Sequence, residues 1–264
     1  MIMIQLFDSH AHYNDETFEE DREEIIEKIY TFGVTKLINA GYSLESSKIA
    51  LEVAQKYEWM YTISGISPND IPDNNEEMEE QLVSLEKFIK QEKNSNKIVA
   101  IGEIGLDYYW NKENIRLQKY AFVRQIDIAN KYKLPIVIHT RDAVMDTIEV
   151  LKTQKLDKKG VFHCCPQNRE LVKEALKLGF YISFAGPITF KNSRNAKEII
   201  EMVPLDKMLI ETDSPYLSPE PNRGKRNDSR NVIYIAEKIA DVRGMKIEEI
   251  AKMTYQNACR IFQI

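Results

Sequence analysis

"KIVAIGEIG", residues 97–105, and "LPIVIHT", residues 134–140, are apolar without alternation. A strand with one wet face alternates apolar and polar residues, so these runs read as parallel strands buried on both faces. Working outward, eight such segments occur, at 4–7, 36–40, 61–65, 98–103, 135–139, 160–163, 180–184 and 208–211. Each is followed by a stretch of helical periodicity. The helices are expected at 19–32, 44–57, 76–92, 117–132, 143–154, 169–178 and 195–202, with two more at 232–242 and 247–261 closing the chain. In the first, Ile25, Ile26, Ile29 and Tyr30 share one face. Eight β–α units in 264 residues predict an α/β fold, a (β/α)8 TIM barrel with an additional C-terminal helix, as one domain over 1–264. A doubly wound open sheet is the alternative, but its nucleotide fingerprints, G-x-G-x-x-G and the P-loop, are absent from the sequence.

Composition narrows the function classes. The apolar fraction of 43% and charged fraction of 29% are those of an ordinary soluble globular chain. A net charge of −5 argues against broad, nonspecific binding of nucleic acid or membrane. No apolar run approaches the length of a membrane span. The N-terminal "MIMIQLFDSH" has no basic start and runs straight into a strand, so it is not expected to be a signal peptide. Three cysteines, two of them adjacent at 164 and 165, do not make a disulfide framework, which predicts a cytoplasmic protein.

The strand ends carry the chemistry. The first strand is read as beginning at Ile2 and ending at Phe7, followed by "DSHAH", 8–12. In extended chain, residues two apart point to the same side, so His10 and His12 converge. Alone, His-x-His is more often a solvated strand end than half a metal site. All four histidines of the chain, however, end predicted strands: His139 closes "PIVIHT" and His163 closes "GVFH". The C-terminal rim of an α/β barrel is where active sites lie. Glu103 and Asp107 end the fourth strand, and Glu211 and Asp213 end the eighth. For Asp107, capping a loop and acting directly in the site are equal readings. Four imidazoles with two carboxylates exceed the needs of one tetrahedral zinc with an open position. They suit two divalent ions about 3.5–4 Å apart, bridged by a carboxylate.

At this point the residues resemble a known family. "DSHAH", "IGEIGLDYY", "PIVIHTRDA", "YISFAGPITFKN" and "ETDSPYLSPEPNRGKRN" are similar to motifs of the TatD family of metal-dependent deoxyribonucleases, within the amidohydrolase superfamily. The resemblance spans nearly the whole chain. It implies a barrel, a divalent-metal site (zinc, magnesium or manganese) and phosphodiester hydrolysis on DNA. It assigns the metal to His10, His12, Glu103, His139, His163 and Asp213, with Glu103 as the bridging carboxylate. Two departures stand out. "GISPND", 65–70, places Ser67 where the family has a histidine, and "HCCPQN", 163–168, replaces the family's H-C-F-S-G. Ser67 retains a hydroxyl that can donate to a phosphate, without the imidazole's charge.

The remaining roles are expectations of the same reading. Asp213 is the general base as well as a ligand, Glu103 shares the catalytic work, and Glu211 orients a neighbouring ligand. Arg223, Lys225 and Arg226 in "NRGKRN", 222–227, clamp phosphates, with Arg141 a further contact; the alternative is a solvated charge run. Tyr108, Tyr109 and Trp110 either stack on a base or pack the loop against the barrel mouth. The expected substrate is DNA, cut at ends or in single strands by a monomer or small homo-oligomer. Hydrolysis of a small ester, amide or phosphoester is the alternative. Related barrels often bridge their metals with a carbamylated lysine, and no lysine lies in the strand-end motifs. A non-catalytic metal- or nucleic-acid-binding barrel is the third reading, supported by Ser67 alone.

Overall fold

Eight parallel strands pair in chain order, each with its sequence neighbour, as a β–α repeat requires. They are β1 Leu6–Ala11, β2 Val34–Ala40, β3 Met60–Ser64, β4 Ile98–Asp107, β5 Ile136–Arg141, β6 Val161–Phe162, β7 Tyr181–Phe184 and β8 Met208–Ile210. Between and after them lie α1 Arg22–Phe32, α2 Leu44–Gln55, α3 Asn75–Glu92, α4 Ile115–Tyr132, α5 Val144–Thr153, α6 Arg169–Lys177, α7 Ala196–Met202, α8 Val232–Arg243 and α9 Ile247–Phe262. This computed structural model describes residues 4–264; the strand start read at Ile2 lies outside the described residues. The chain beyond β8 meets β1: the Asp213 N–H donates to His10 O at 2.9 Å and the His12 N–H to Ser214 O at 2.7 Å. The barrel and its extra C-terminal helix are as the sequence predicts.

Strand residues alternate between two hydrophobic clusters. Leu6, Leu37, Ile136, Ile182 and Met208 pack against the helices, whereas Phe7, Ile38, Val137, Val161 and Leu209 fill the lumen. α9 contributes Ala258 and Phe262 to the lumen cluster, and the Tyr255 and Phe262 rings lie 5.7 and 6.4 Å from that of Phe7. The barrel floor is therefore closed by apolar packing, the driving term for burial. Towards the mouth the buried residues turn polar. Ser9 Oγ lies 3.1 Å from Ser183 Oγ and donates to Ile210 O at 3.0 Å.

Three details differ from the sequence reading. β1 runs on through Asp8, Ser9 and His10 to Ala11, because these polar residues find partners inside the barrel. α1 begins at Arg22, after a short 3-10 turn at Glu16–Phe18 that buries Phe18 against the Tyr13 ring, 4.6 Å away. Tyr30 is 48% exposed and does not join the buried face of Ile25, Ile26 and Ile29; its ring rests 5.1 Å from Trp59. The capped start of α2 is local chemistry: Ser43 Oγ accepts the Ser46 N–H while Ser46 Oγ accepts that of Ser43.

β4 is the strand that shapes the site. Its pairing with β5 shifts register between Ile101 and Ile104, around Glu103, then resumes with Ile104 opposite Ile138 and Gly105 opposite His139. Such irregularities re-aim side chains. Gly105 has φ +141°, and a Cβ there would lie 2.0 Å from His139 O. Gly105→Ala is expected to cost about 3 kcal/mol or more, combining overpacking with a backbone conformation unfavourable to L residues. Urea unfolding of the metal-free protein measures it; an unchanged midpoint would contradict the tight packing.

Candidate metal centre

The barrel brings the six expected ligands together at its mouth. His10 lies in β1 and His12 just beyond it, Glu103 in β4, His139 in β5, His163 just after β6 and Asp213 just after β8. His10 Nε2 and His12 Nε2 are 3.3 Å apart, and His12 Nε2 is 3.3 Å from Asp213 Oδ1. On the other side, His139 Nδ1 and His163 Nε2 are also 3.3 Å apart. Glu103 stands between the two groups. Its Oε1 lies 2.9 Å from His139 Nδ1 and 3.1 Å from His163 Nε2. Its Oε2 lies 3.5 Å from His10 Nε2 and 4.0 Å from His12 Nε2.

Neighbouring groups stand beside the outer ring nitrogens of His12, His139 and His163, whereas the buried His10 Nδ1 has no hydrogen-bond partner among the described residues. The His12 Nδ1–H donates to Ala40 O at 2.9 Å, which turns Nε2 towards the cluster. Asp107 Oδ2 lies 2.9 Å from His139 Nε2, and Glu211 Oε1 lies 3.4 Å from His163 Nδ1 while accepting the Cys164 N–H. Asp107 thus fills both roles considered for it. Its Oδ1 accepts the N–H groups of Tyr109 and Trp110, at 2.9 and 3.1 Å, and caps the loop after β4. Asp8, fully buried, accepts from Thr212 N at 2.9 Å, Thr212 Oγ1 and His10 N at 3.3 Å, tying β1 to the chain after β8. Burial pushes its carboxyl up to about 7 against those bonds.

The donor set demands positive charge. His139 faces a carboxylate oxygen from each ring nitrogen, and a neutral imidazole donates only one proton. His163 is placed likewise between Glu103 and Glu211. Either a proton or a cation must sit there. In the metal-free protein burial opposes the charged imidazoles, yet Asp107 and Glu103 raise His139, and Glu103 and Glu211 raise His163 further. Burial likewise drives Glu103 up, and His163, His10 and His139 outweigh it, holding its carboxyl well below the usual range. Metal–nitrogen bonds of about 2.0–2.1 Å in a tetrahedron put ligand atoms roughly 3.3–3.4 Å apart. The N···N spacings of 3.3 Å match that edge and the N···O spacings run from 2.9 to 4.0 Å around it, so each group offers a donor set that suits a divalent ion.

Above the cluster opens a cavity of about 780 Å³. Ser67, Arg141, Trp110, Cys164 and Cys165 line it. The Arg141 guanidinium lies 3.7 Å from the Tyr109 ring centroid and 5.5 Å from that of Trp110. Both rings are exposed, at 53% and 68%, so they are presented to solvent rather than packed inside the mouth. The Tyr108 hydroxyl instead donates to Asp146 at 2.6 Å, tying that ring to α5. The basic loop stands differently. Arg223, Lys225 and Arg226 do not line the cavity; Arg226 pairs with Asp21 and donates to Thr17 O, and Arg223 stacks 4.2 Å from the Phe190 ring. Asp21 is more than two hundred positions from Arg226 in sequence, which hides the pair from any local motif. Tyr42, Asn69, Asp70 and Tyr216 also line the cavity and were not singled out by their sequence context. Asp70 and Tyr216 carried signals, one beside Ser67 and one within "ETDSPYL".

Imidazoles and carboxylates converging at the C-terminal mouth of a (β/α)8 barrel define a metal-dependent hydrolase of the amidohydrolase fold. The chain belongs to the TatD family, whose description as TatD-related DNase matches residues 7–263. It is 42% identical over 260 residues to the metal-dependent hydrolase YabD of Bacillus subtilis (strain 168), covering 98% of this chain and 99% of YabD. It is 34% identical over 275 residues to the metal-dependent hydrolase MG009 of Mycoplasma genitalium, covering 98% and 99% of the two chains. The fold is similar to that of YjjV, a TatD homologue of Escherichia coli K12, with a TM-score of 0.92 at 24% identity over the full length of both chains. Organophosphorus hydrolase from Deinococcus radiodurans shares the fold more distantly, with a TM-score of 0.65 at 14% identity over 98% of this chain and 93% of that one. Among the described residues no helix is long and apolar enough to cross a membrane.

Proposed function

We propose that the protein is a metal-dependent deoxyribonuclease that cleaves phosphodiester bonds in DNA, acting on ends or single strands. The observation that carries this reading is Glu103, with one oxygen facing each imidazole group. Two divalent ions, if bound, would be held by His10, His12, Asp213, His139, His163 and Glu103, and would supply Lewis acidity that favours ionisation of water and polarises a phosphoryl oxygen. Asp213, with an oxygen 3.3 Å from His12, accepts the proton of the attacking water. Asp107, Glu211 and the Ala40 carbonyl hold His139, His163 and His12 in place. Arg141 binds a phosphate of the strand and Tyr109 and Trp110 stack on a base, whereas the Ser67 hydroxyl, which the sequence offers to a phosphate, is donated to Asp70 Oδ2 at 2.8 Å. Arg223 and Lys225 meet the strand outside the cavity. The reading takes residues 1–264 as one barrel domain working in the cytoplasm as a monomer or small homo-oligomer, with its three cysteines free.

The test is cleavage of labelled single-stranded DNA, duplex DNA, RNA and a simple phosphodiester by stripped protein reloaded with zinc, manganese or magnesium. DNA cleavage that a chelator abolishes is expected. Turnover of a small ester or phosphoester without any DNA cleavage would favour the alternative substrate class.

Two further results follow from the geometry. Arg141→Ala is expected to weaken DNA binding and reduce its salt slope by about one unit, because one phosphate contact is lost. Arg226→Ala, whose guanidinium is already paired with Asp21, is expected to leave that slope unchanged. Binding titrations at several salt concentrations separate the two. Protons and metal also compete for His139 and His163. Their raised values in the metal-free protein stabilise it fully below the ordinary imidazole range, and this is lost as pH rises through the raised values. Metal binding runs the other way and is expected to weaken as pH falls through the same range. Metal titrations between pH 5 and 9 measure it, approximate limits set by the imidazole range.

A further inference from the structure

One wall of the cavity is acidic where a nuclease needs to accommodate an anionic strand. Ser67 and Asp70, on the loop after β3, both line it. The Ser67 hydroxyl donates to Asp70 Oδ2 at 2.8 Å and also accepts the Asn69 N–H at 3.2 Å. The loop is closed on itself by the Asp70 N–H donating to Ser67 O at 3.0 Å. Asp70 is thereby held in place, and among the described residues its Oδ1 has no hydrogen-bond partner. No lysine lines the cavity, and its one arginine, Arg141, is stacked on Tyr109. Among the described residues no lysine or arginine is therefore paired with the Asp70 carboxylate; the cavity charges that act on it are those of Glu103 and, in the opposite sense, His12.

A carboxylate accepts hydrogen bonds and repels phosphate. Inside a DNA strand every sugar is flanked by phosphates on both sides, so an interior nucleotide placed against Asp70 would set two anions together. A strand terminus is different, since it ends in a hydroxyl, which is a donor. We propose that Asp70, held by Ser67, recognises the free hydroxyl of a strand terminus and excludes a terminal phosphate from the same place. The inference rests on the phosphodiesterase reading and deepens it: the protein acts on hydroxyl-ended strands and requires removal of an end phosphate by a preceding phosphomonoester hydrolysis.

The test compares short single strands ending in hydroxyls, in a 3′-phosphate or in a 5′-phosphate, each also made with phosphorothioate links that resist cleavage. Binding of the resistant strands is read by fluorescence anisotropy on metal-loaded protein, and kcat/KM on the cleavable ones. The wild type is expected to favour the hydroxyl end by about tenfold or more over the phosphate at one of the two termini. Asp70→Asn keeps the shape and one acceptor but removes the charge, so the preference is expected to fall to within about threefold through a gain on the phosphate-ended strand. Ser67→Ala, which frees Asp70 to rotate, is expected to blunt the preference as well and serves if Asp70→Asn does not fold. Equal binding of both ends by the wild type, an unchanged ratio in the folded variants, or no binding of any strand overturns the proposal. Selective binding without cleavage upholds it and overturns the nuclease reading instead.

Discussion

Glu103→Gln is expected to lower bound metal to less than half and hydrolysis by at least on the order of 10³, with the barrel still folded. Removing a group that merely orients a ligand typically costs 10–100-fold in affinity or activity. Glu103 does more than orient. Its two oxygens serve both halves of the cluster, Oε1 towards His139 and His163, Oε2 towards His10 and His12. Glutamine preserves the volume but offers one weak carbonyl donor and points an N–H2 group at one imidazole pair. The barrel survives because its core lies elsewhere, in the helix-facing cluster and in the lumen cluster closed by α9. Elemental analysis, circular dichroism and turnover on the same preparation decide the matter. A variant with normal metal content and normal rate would remove Glu103 from the centre of the site.

The fold was legible because a buried parallel strand announces itself as an apolar run, and all eight strands overlap the runs read from the sequence. The site was legible because the chain has few histidines and puts each at a strand end. What the sequence hides is long-range. The register shift in β4 lies around Glu103, and a Cβ at Gly105 would meet His139 O at 2.0 Å; both are relations between β4 and β5 that no local pattern shows. The three basic residues of "NRGKRN" look equivalent in sequence, yet Arg226 is bound to Asp21 and Arg223 to the Phe190 ring. Asp107 reads equally as a cap or a site residue because it is both, using one oxygen for each. Asp70 lies in a loop between two prolines where an acidic residue is ordinarily just solvated.

Asp213→Asn is expected to lower kcat by on the order of 10²–10⁴ while changing DNA affinity far less, because general acid–base participation contributes about that much to rate. Asparagine is the informative replacement for a backbone reason. Asp213 has φ +58°, a left-handed conformation that asparagine and aspartate tolerate better than other non-glycine residues. The N–H that donates to His10 O at 2.9 Å, which helps join β8 to β1, is therefore retained. The side chain keeps one acceptor oxygen towards His12 but cannot take a proton. Burial raises the Asp213 carboxyl, and His12, His163 and His10 more than reverse that, so in the metal-free protein it is held ionised. Alanine would confuse loss of the base with strain and a lost ligand. Glu211→Gln serves as the comparison, since Glu211 is fully buried, faces His163 and accepts the Cys164 N–H without lining the cavity. Its effect is expected to be the milder of the two. Both must be measured at saturating metal, where lost occupancy cannot pass for lost chemistry. Near-normal kcat in Asp213→Asn with the cluster full would move the base to Glu103 or to an ion-activated water acting alone.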